Sequence, residues 1–182
     1  MLIDLVLHRP EILGPVLRNT PVWVWGLLAG LMVLGITQLR DRSASLVRVS
    51  ILPVAMTAFG MWGTFSAFGK SPLLGQAQAV WMVAAVVLCA IVLPTNSGAR
   101  YDPVNGRYQL PGSVVPLLLI TGIFLVKYTV GVDMAMAPSL MHDSQYALTV
   151  AALYGAFTGL FVGRAARLWL LALRAPAATV SA

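Results

Sequence analysis

One cysteine, two histidines and very little charge are all that this sequence offers to side-chain chemistry. The single thiol, Cys89, excludes an intramolecular disulfide, a Cys-x-x-Cys redox pair and a thiolate metal cluster. It stands among Val86, Val87, Leu88, Ala90 and Ile91, with no positive charge beside it to favour a thiolate, and reads as a small packing residue. His8 and His142 both fall outside the apolar stretches, which removes the usual means of holding haem inside a membrane. The chain has no P-loop, no His-Glu-x-x-His, no Gly-x-Ser-x-Gly and no paired acids at a common depth. Neither an enzyme nor a cofactor is expected.

Charged residues make up 10% of the chain, against about 25% in a soluble domain. Hydrophobic residues make up 59%, and they are gathered rather than dispersed. Five stretches carry most of them: Pro21–Leu39, Val49–Gly69, Leu73–Leu93, Val114–Val132 and Tyr146–Gly163. About 20 apolar residues in a helix, rising about 1.5 Å each, cross a hydrocarbon core of about 30 Å. Lipid offers the backbone no hydrogen-bond partners, so such runs form helices. A barrel strand would alternate apolar and polar residues, and these runs do not. The expected fold is an all-α transmembrane bundle of five spans in one integral membrane domain, residues 1–182, with no stretch left for a soluble domain.

The net charge is +6, but its distribution points to a membrane rather than to nucleic acid. Eight arginines (40, 42, 48, 100, 107, 164, 167 and 174) fall in alternate connections and after the last span. The other connections hold Arg9, Arg18 and Lys70, offset by Asp4, Glu11, Asp133 and Asp143. The positive-inside rule places the N-terminus outside and the C-terminus in the cytoplasm. No cleavable signal peptide is expected, because Met1–Thr20 lacks a basic start and carries Asp4, Glu11, Pro10 and Pro15. Its mixed apolar and charged residues suit an amphipathic segment lying flat at the interface, with Trp23 and Trp25 at the entrance of the first span.

Inside the spans, small residues recur at helical spacing. Gly26 and Gly30 form one Gly-x-x-x-Gly, and Gly155, Gly159 and Gly163 form two overlapping copies on one helix face. Such faces let two backbones approach closely, within a bundle or between protomers. Gly60, Gly63, Ser66 and Gly69, at three-residue steps, are a weaker version. Lys127 is the ionisable residue well inside a span. Its long stem could carry the ammonium to the outer interface, towards Asp133 or Asp143, or it could serve an anion within the membrane.

Two connections carry further signals. Met134, Met136, Met141 and His142 cluster between the last two spans and form a soft ligand set of the kind that suits Cu(I), although interfacial apolar residues would look the same. In the inner connection, Asp102-Pro103 and Asn105-Gly106 predict a hairpin turn that sets Tyr101 opposite Tyr108 and Asp102 opposite Arg107.

Thr20-Pro21-Val22-Trp23-Val24-Trp25-Gly26-Leu27-Leu28, followed by Gln38-Leu39-Arg40, resembles the opening of a family of small bacterial multi-pass inner-membrane proteins of unknown function. Pro111-Gly112-Ser113 with Pro116-Leu117, Lys127-Tyr128 with Gly131, and Tyr154-Gly155 through Gly163-Arg164 are similar to its second half. The resemblance implies a bacterial inner membrane and no active residues, and gives weight to Lys127 and the Gly155 face as parts of the fold.

Two functions follow as expectations. The first is an accessory membrane protein acting through helix contacts, with the lipid bilayer, a second copy or another membrane protein as partner. The second is a small transporter or permeation subunit using Lys127, with Thr57, Thr64, Thr121 and Thr158 as polar lining.

Overall fold

A computed structural model of the chain describes residues 13–95 and 98–174. The apolar stretches fall in five long helices: α2 (Val22–Ile36, continued by a 3-10 turn Thr37–Leu39), α3 (Leu46–Phe68), α4 (Leu74–Val92), α5 (Val115–Met136) and α6 (Ser144–Arg174). All five are long and apolar enough to cross a membrane. The fold is an all-α helical bundle. Large apolar side chains such as Val22, Trp62, Val83 and Leu118 lie exposed on its flanks, a surface that suits acyl chains and not water.

Of the expected N-terminal interfacial segment, residues 1–12 lie outside the described residues, and with them the charges of Asp4, Arg9 and Glu11. The remainder includes the short helix α1 (Leu13–Arg18). Thr20, just after it, shares a 2.7 Å hydrogen bond with the hydroxyl of Tyr128 on α5.

The helix α6 is the centre of the bundle. It is 31 residues long, roughly 46 Å at 1.5 Å per residue, and so outruns the expected Tyr146–Gly163. The helix continues through Arg164 and Arg167 because nothing breaks it: no proline or glycine stands between Arg164 and Arg174. Its buried face (Ala147, Val150, Ala151, Tyr154, Gly155, Thr158, Gly159) packs mainly on α4 and then on α3. Chain order rises together along the first contact, Gly155 on Trp81 and Ala84, Gly159 on Ala85 and Leu88, Gly163 on Cys89 and Val92. The two helices are therefore parallel. The α2 helix packs on α5 instead, antiparallel, with Gly35 against Leu117 and Met32 near Thr121.

A three-stranded sheet closes one end, in the order β1 (Arg42–Ser45), β3 (Arg107–Leu110), β2 (Arg100–Asp102). The expected hairpin register is present, Tyr101 paired with Tyr108 and Asp102 with Arg107, with the two tyrosine rings 4.9 Å apart. Gly106 takes φ +61° in the turn, a conformation that favours glycine. The Asp102 carboxylate accepts from the Asn105 side chain at 2.7 Å and from the backbone N–H groups of Val104 and Asn105. Those bonds, that from the Asn105 side chain first, hold its pKa below the ordinary value. The strand β1 was not foreseen. It pairs antiparallel with β3, Arg42 with Leu110 through Ser45 with Arg107, and so puts the connections α2–α3 and α4–α5 at the same end. Arg167 joins them there by donating to Thr95.

Candidate functional site

Lys127 lies in the middle of α5, nine residues before the end of the helix. Among the described residues its side chain forms no ion pair with Asp133 or Asp143. The ammonium turns inward, donates to the carbonyl oxygen of Phe59 on α3 at 3.2 Å, and stands 4.0 Å from the Phe59 ring centroid and 4.3 Å from that of Tyr154 on α6. Lys127 thus joins the α2–α5 pair to the α3–α4–α6 group. Two aromatic faces and one carbonyl offset part of the desolvation of the charge, each ring contributing on the order of 0.5–2 kcal/mol.

The seat for this ammonium is made by a missing side chain. A Cβ on Gly63 would fall on the Lys127 Nζ and lie 2.9 Å from Cε2 of Tyr154. One turn earlier, a Cβ on Gly60 would lie 2.8 Å from the Thr158 hydroxyl and 3.1 Å from the Trp81 indole nitrogen. The three-residue glycine steps of α3, the weaker motif in the sequence, therefore shape the interior.

The expected carboxylate partners are engaged elsewhere. Asp133 is buried and accepts from the Tyr146 hydroxyl at 3.2 Å, while Asp143 accepts from the backbone N–H of Tyr146 at 2.9 Å in the first turn of α6. Asp133 is six residues beyond Lys127, and at about 3.6 residues per turn the two point to different sides of α5. Closeness along the helix axis hid that difference of face.

Lys127 lines one wall of a lateral groove of about 980 Å³ bounded by α1, α2, α3 and α5. Its walls are apolar (Trp23, Leu27, Leu31, Met56, Phe124 among them), with Asn19, Thr20, Lys127 and Tyr128 as polar lining. None of the four threonines expected to line a pathway is there. Thr57, Thr64 and Thr158 return their hydroxyls to carbonyls of their own helices at 2.8, 2.8 and 2.9 Å. Thr121 faces the Met32 sulfur at 3.5 Å. A membrane helix satisfies a lone hydroxyl most readily by this local bond.

The remaining candidates divide. Gly155, Gly159 and Gly163 are brought together against the α4 backbone. Gly26 and Gly30 make no contact within the chain: a Cβ on either would meet nothing within 4 Å, so of the two settings open to such a face, within a bundle or between protomers, the first does not apply to α2. The soft ligand set is also dispersed. Met134 and Met141 pack against the buried core, while Met136 is exposed beside the groove and His142 is exposed in the 3-10 turn Pro138–His142. Among the described residues no group of three or more His, Cys, Asp or Glu could hold one.

Residues 1–178 match the family of unknown function DUF6622, and the chain belongs to that family. No curated protein and no solved structure matches it.

Proposed function

We propose that this member of the family is a bacterial inner-membrane protein of five spans in a single domain, N-terminus outside, that binds an anionic single-chain amphiphile in the Lys127 groove. It is a binding or permeation subunit and not an enzyme. One observation carries this reading: a lysine in mid-helix, its ammonium with one carbonyl bond and no carboxylate partner among the described residues, is a lining residue of a large apolar groove. A charge at this depth costs about 2.5–3.5 kcal/mol on insertion scales, so it is retained where it serves an interaction. The groove is near the upper end of the roughly 300–1,000 Å³ usual for small-molecule sites. An acyl chain matches its walls and an anionic head matches the ammonium.

Palmitate is the probe. Lys127→Met keeps the length of the stem and removes the charge, and is expected to weaken palmitate binding to the detergent-purified protein about tenfold, with melting retained. Equal binding by Lys127→Met and the wild type would refute the reading. The accessory reading would then take its place, since the open Gly26–Gly30 face of α2 leaves room for a helix of a second copy or another membrane protein.

The orientation rests on the arginines. All eight fall at the end closed by the sheet or on the last turns of α6, and the positive-inside rule assigns that end to the cytoplasm. Reporter fusions after Gly75 and Ser139 are expected outside and after Asn105 inside. A cytoplasmic signal at both Gly75 and Ser139 would reverse the assignment.

A further inference from the structure

At the sheet end, a pocket of about 360 Å³ lies between β1, the start of α5 and the last turns of α6. Arg42, Arg164 and Arg167 all line it. These come from two segments more than a hundred residues apart, so the pocket is a product of the fold rather than of a basic run. We propose that this pocket is a binding site for a phosphate group, held by the guanidinium groups of Arg42, Arg164 and Arg167.

Three observations point there. The first is like charge without compensation: among the described residues no carboxylate pairs with any of the three. Asp41, the nearest acid in sequence, is turned to the backbone N–H of Gly112 at 2.7 Å, and Asp102 is held in its own turn. The second is unused donor capacity. Arg167 donates through Nη1 to the carbonyl and hydroxyl oxygens of Thr95 at 2.7 and 2.6 Å, while its Nε is buried with no partner. Arg42 donates through Nη2 to Gln38 at 2.7 Å, and the Arg164 side chain forms no hydrogen bond to a described residue. The third is the neighbouring helix: Val115 and Pro116, the first residues of α5, line the same pocket and bring the positive end of a 22-residue helix to it. Guanidinium groups present rigid forks that match phosphate oxygens, and several converging forks suit a tetrahedral anion better than a planar carboxylate. Burial and then the charge of Arg48 hold the Arg42 guanidinium below its ordinary pKa.

Such a group could arrive on a phospholipid of the cytoplasmic leaflet or as a free phosphate. The test uses the full chain, purified in detergent and stripped of lipid, and follows its melting temperature with two probes: inorganic phosphate, and mixed micelles containing phosphatidylglycerol, with phosphatidylcholine micelles as the reference. A rise with phosphate assigns a site open to solvent. A rise with phosphatidylglycerol alone assigns a lipid headgroup site. In either case Arg164→Gln is expected to weaken the response about tenfold, whereas Arg100→Gln, on the exposed edge of the hairpin, should respond as the wild type does. Without ligand Arg164→Gln should melt no lower than the wild type, because one of three like charges is gone. Should it fail to fold, Arg42→Gln provides the same comparison. Absence of any rise with both probes, or equal responses of the wild type and the pocket variants, would overturn the proposal.

Discussion

Leucine in place of Gly159 is expected to prevent the bundle from assembling, and alanine there should already be costly. A Cβ at this position would fall on the carbonyl oxygen of Ala85 and lie 2.9 Å from the Cβ of Leu88. The first obstacle is helix backbone, which cannot turn aside as a side chain can. Gly155 is as close to α4, a Cβ there falling on the Trp81 carbonyl oxygen, while one on Gly163 would lie 3.0 Å from that of Cys89, so the helices would have to separate along the contact. Overpacking commonly costs about 1–3 kcal/mol, and here it falls on the principal interface of the molecule, so Gly159→Leu should lie at or beyond the upper end. Gly26→Leu is the control, since the same addition meets nothing within 4 Å. The measurement is melting in detergent together with the yield of folded protein. If Gly159→Ala melted with the wild type, the close approach of α4 and α6 would be wrong.

A second large effect is expected at Gly63, with a distinctive rescue. Leucine there would occupy the seat of the Lys127 ammonium and press on the Tyr154 ring. The lysine would lose its carbonyl bond to Phe59 and both ring contacts, leaving a mid-helix charge without compensation. The cost should approach the roughly 2.5–3.5 kcal/mol of an intramembrane charge. Gly63→Leu combined with Lys127→Leu removes the charge together with its seat, and should recover much of that loss. A double-mutant cycle read by melting is expected to give a coupling of about 2 kcal/mol. Strict additivity would mean that Gly63 and Lys127 do not share a site.

What the sequence made legible, and what it did not, follows the range of the interactions. Apolar run length specified the helices, since lipid permits little else. The hairpin register was readable because Asp102 and Gly106 determine the turn locally and the pairing follows from it. The partner strand Arg42–Ser45 was not, because three polar residues and one alanine are too short a run to signal a strand and acquire that conformation by pairing with β3, more than sixty residues on. The glycine motifs show the same limit. Gly26–Gly30 and Gly155–Gly159 have identical spacing, yet one is open and the other forms the core. Spacing says that a backbone can be approached, and only the tertiary arrangement says by what. Lys127 was found from its charge and depth alone, while its partners, a carbonyl and two rings on other helices, carry no sequence signature. The arginine pocket was hidden for a related reason: each arginine has a sufficient local explanation as a topological charge, and their convergence is visible only in three dimensions.

The parallel contact of α4 with α6 bears on biosynthesis. A membrane protein is inserted in chain order, but this one cannot pack in that order. When α4 enters the bilayer its natural neighbour has not been translated, and α5 must cross and stand aside before α6 arrives. Until residue 144 and its successors emerge, the carbonyls of Trp81 and Ala85 have no glycine face to meet, and α3 lacks the tyrosine that completes the seat opposite Gly63. A chain cut short before residue 144 therefore has four of its five long helices and lacks the one against which Phe68, Ala77, Trp81 and Val130 complete the core.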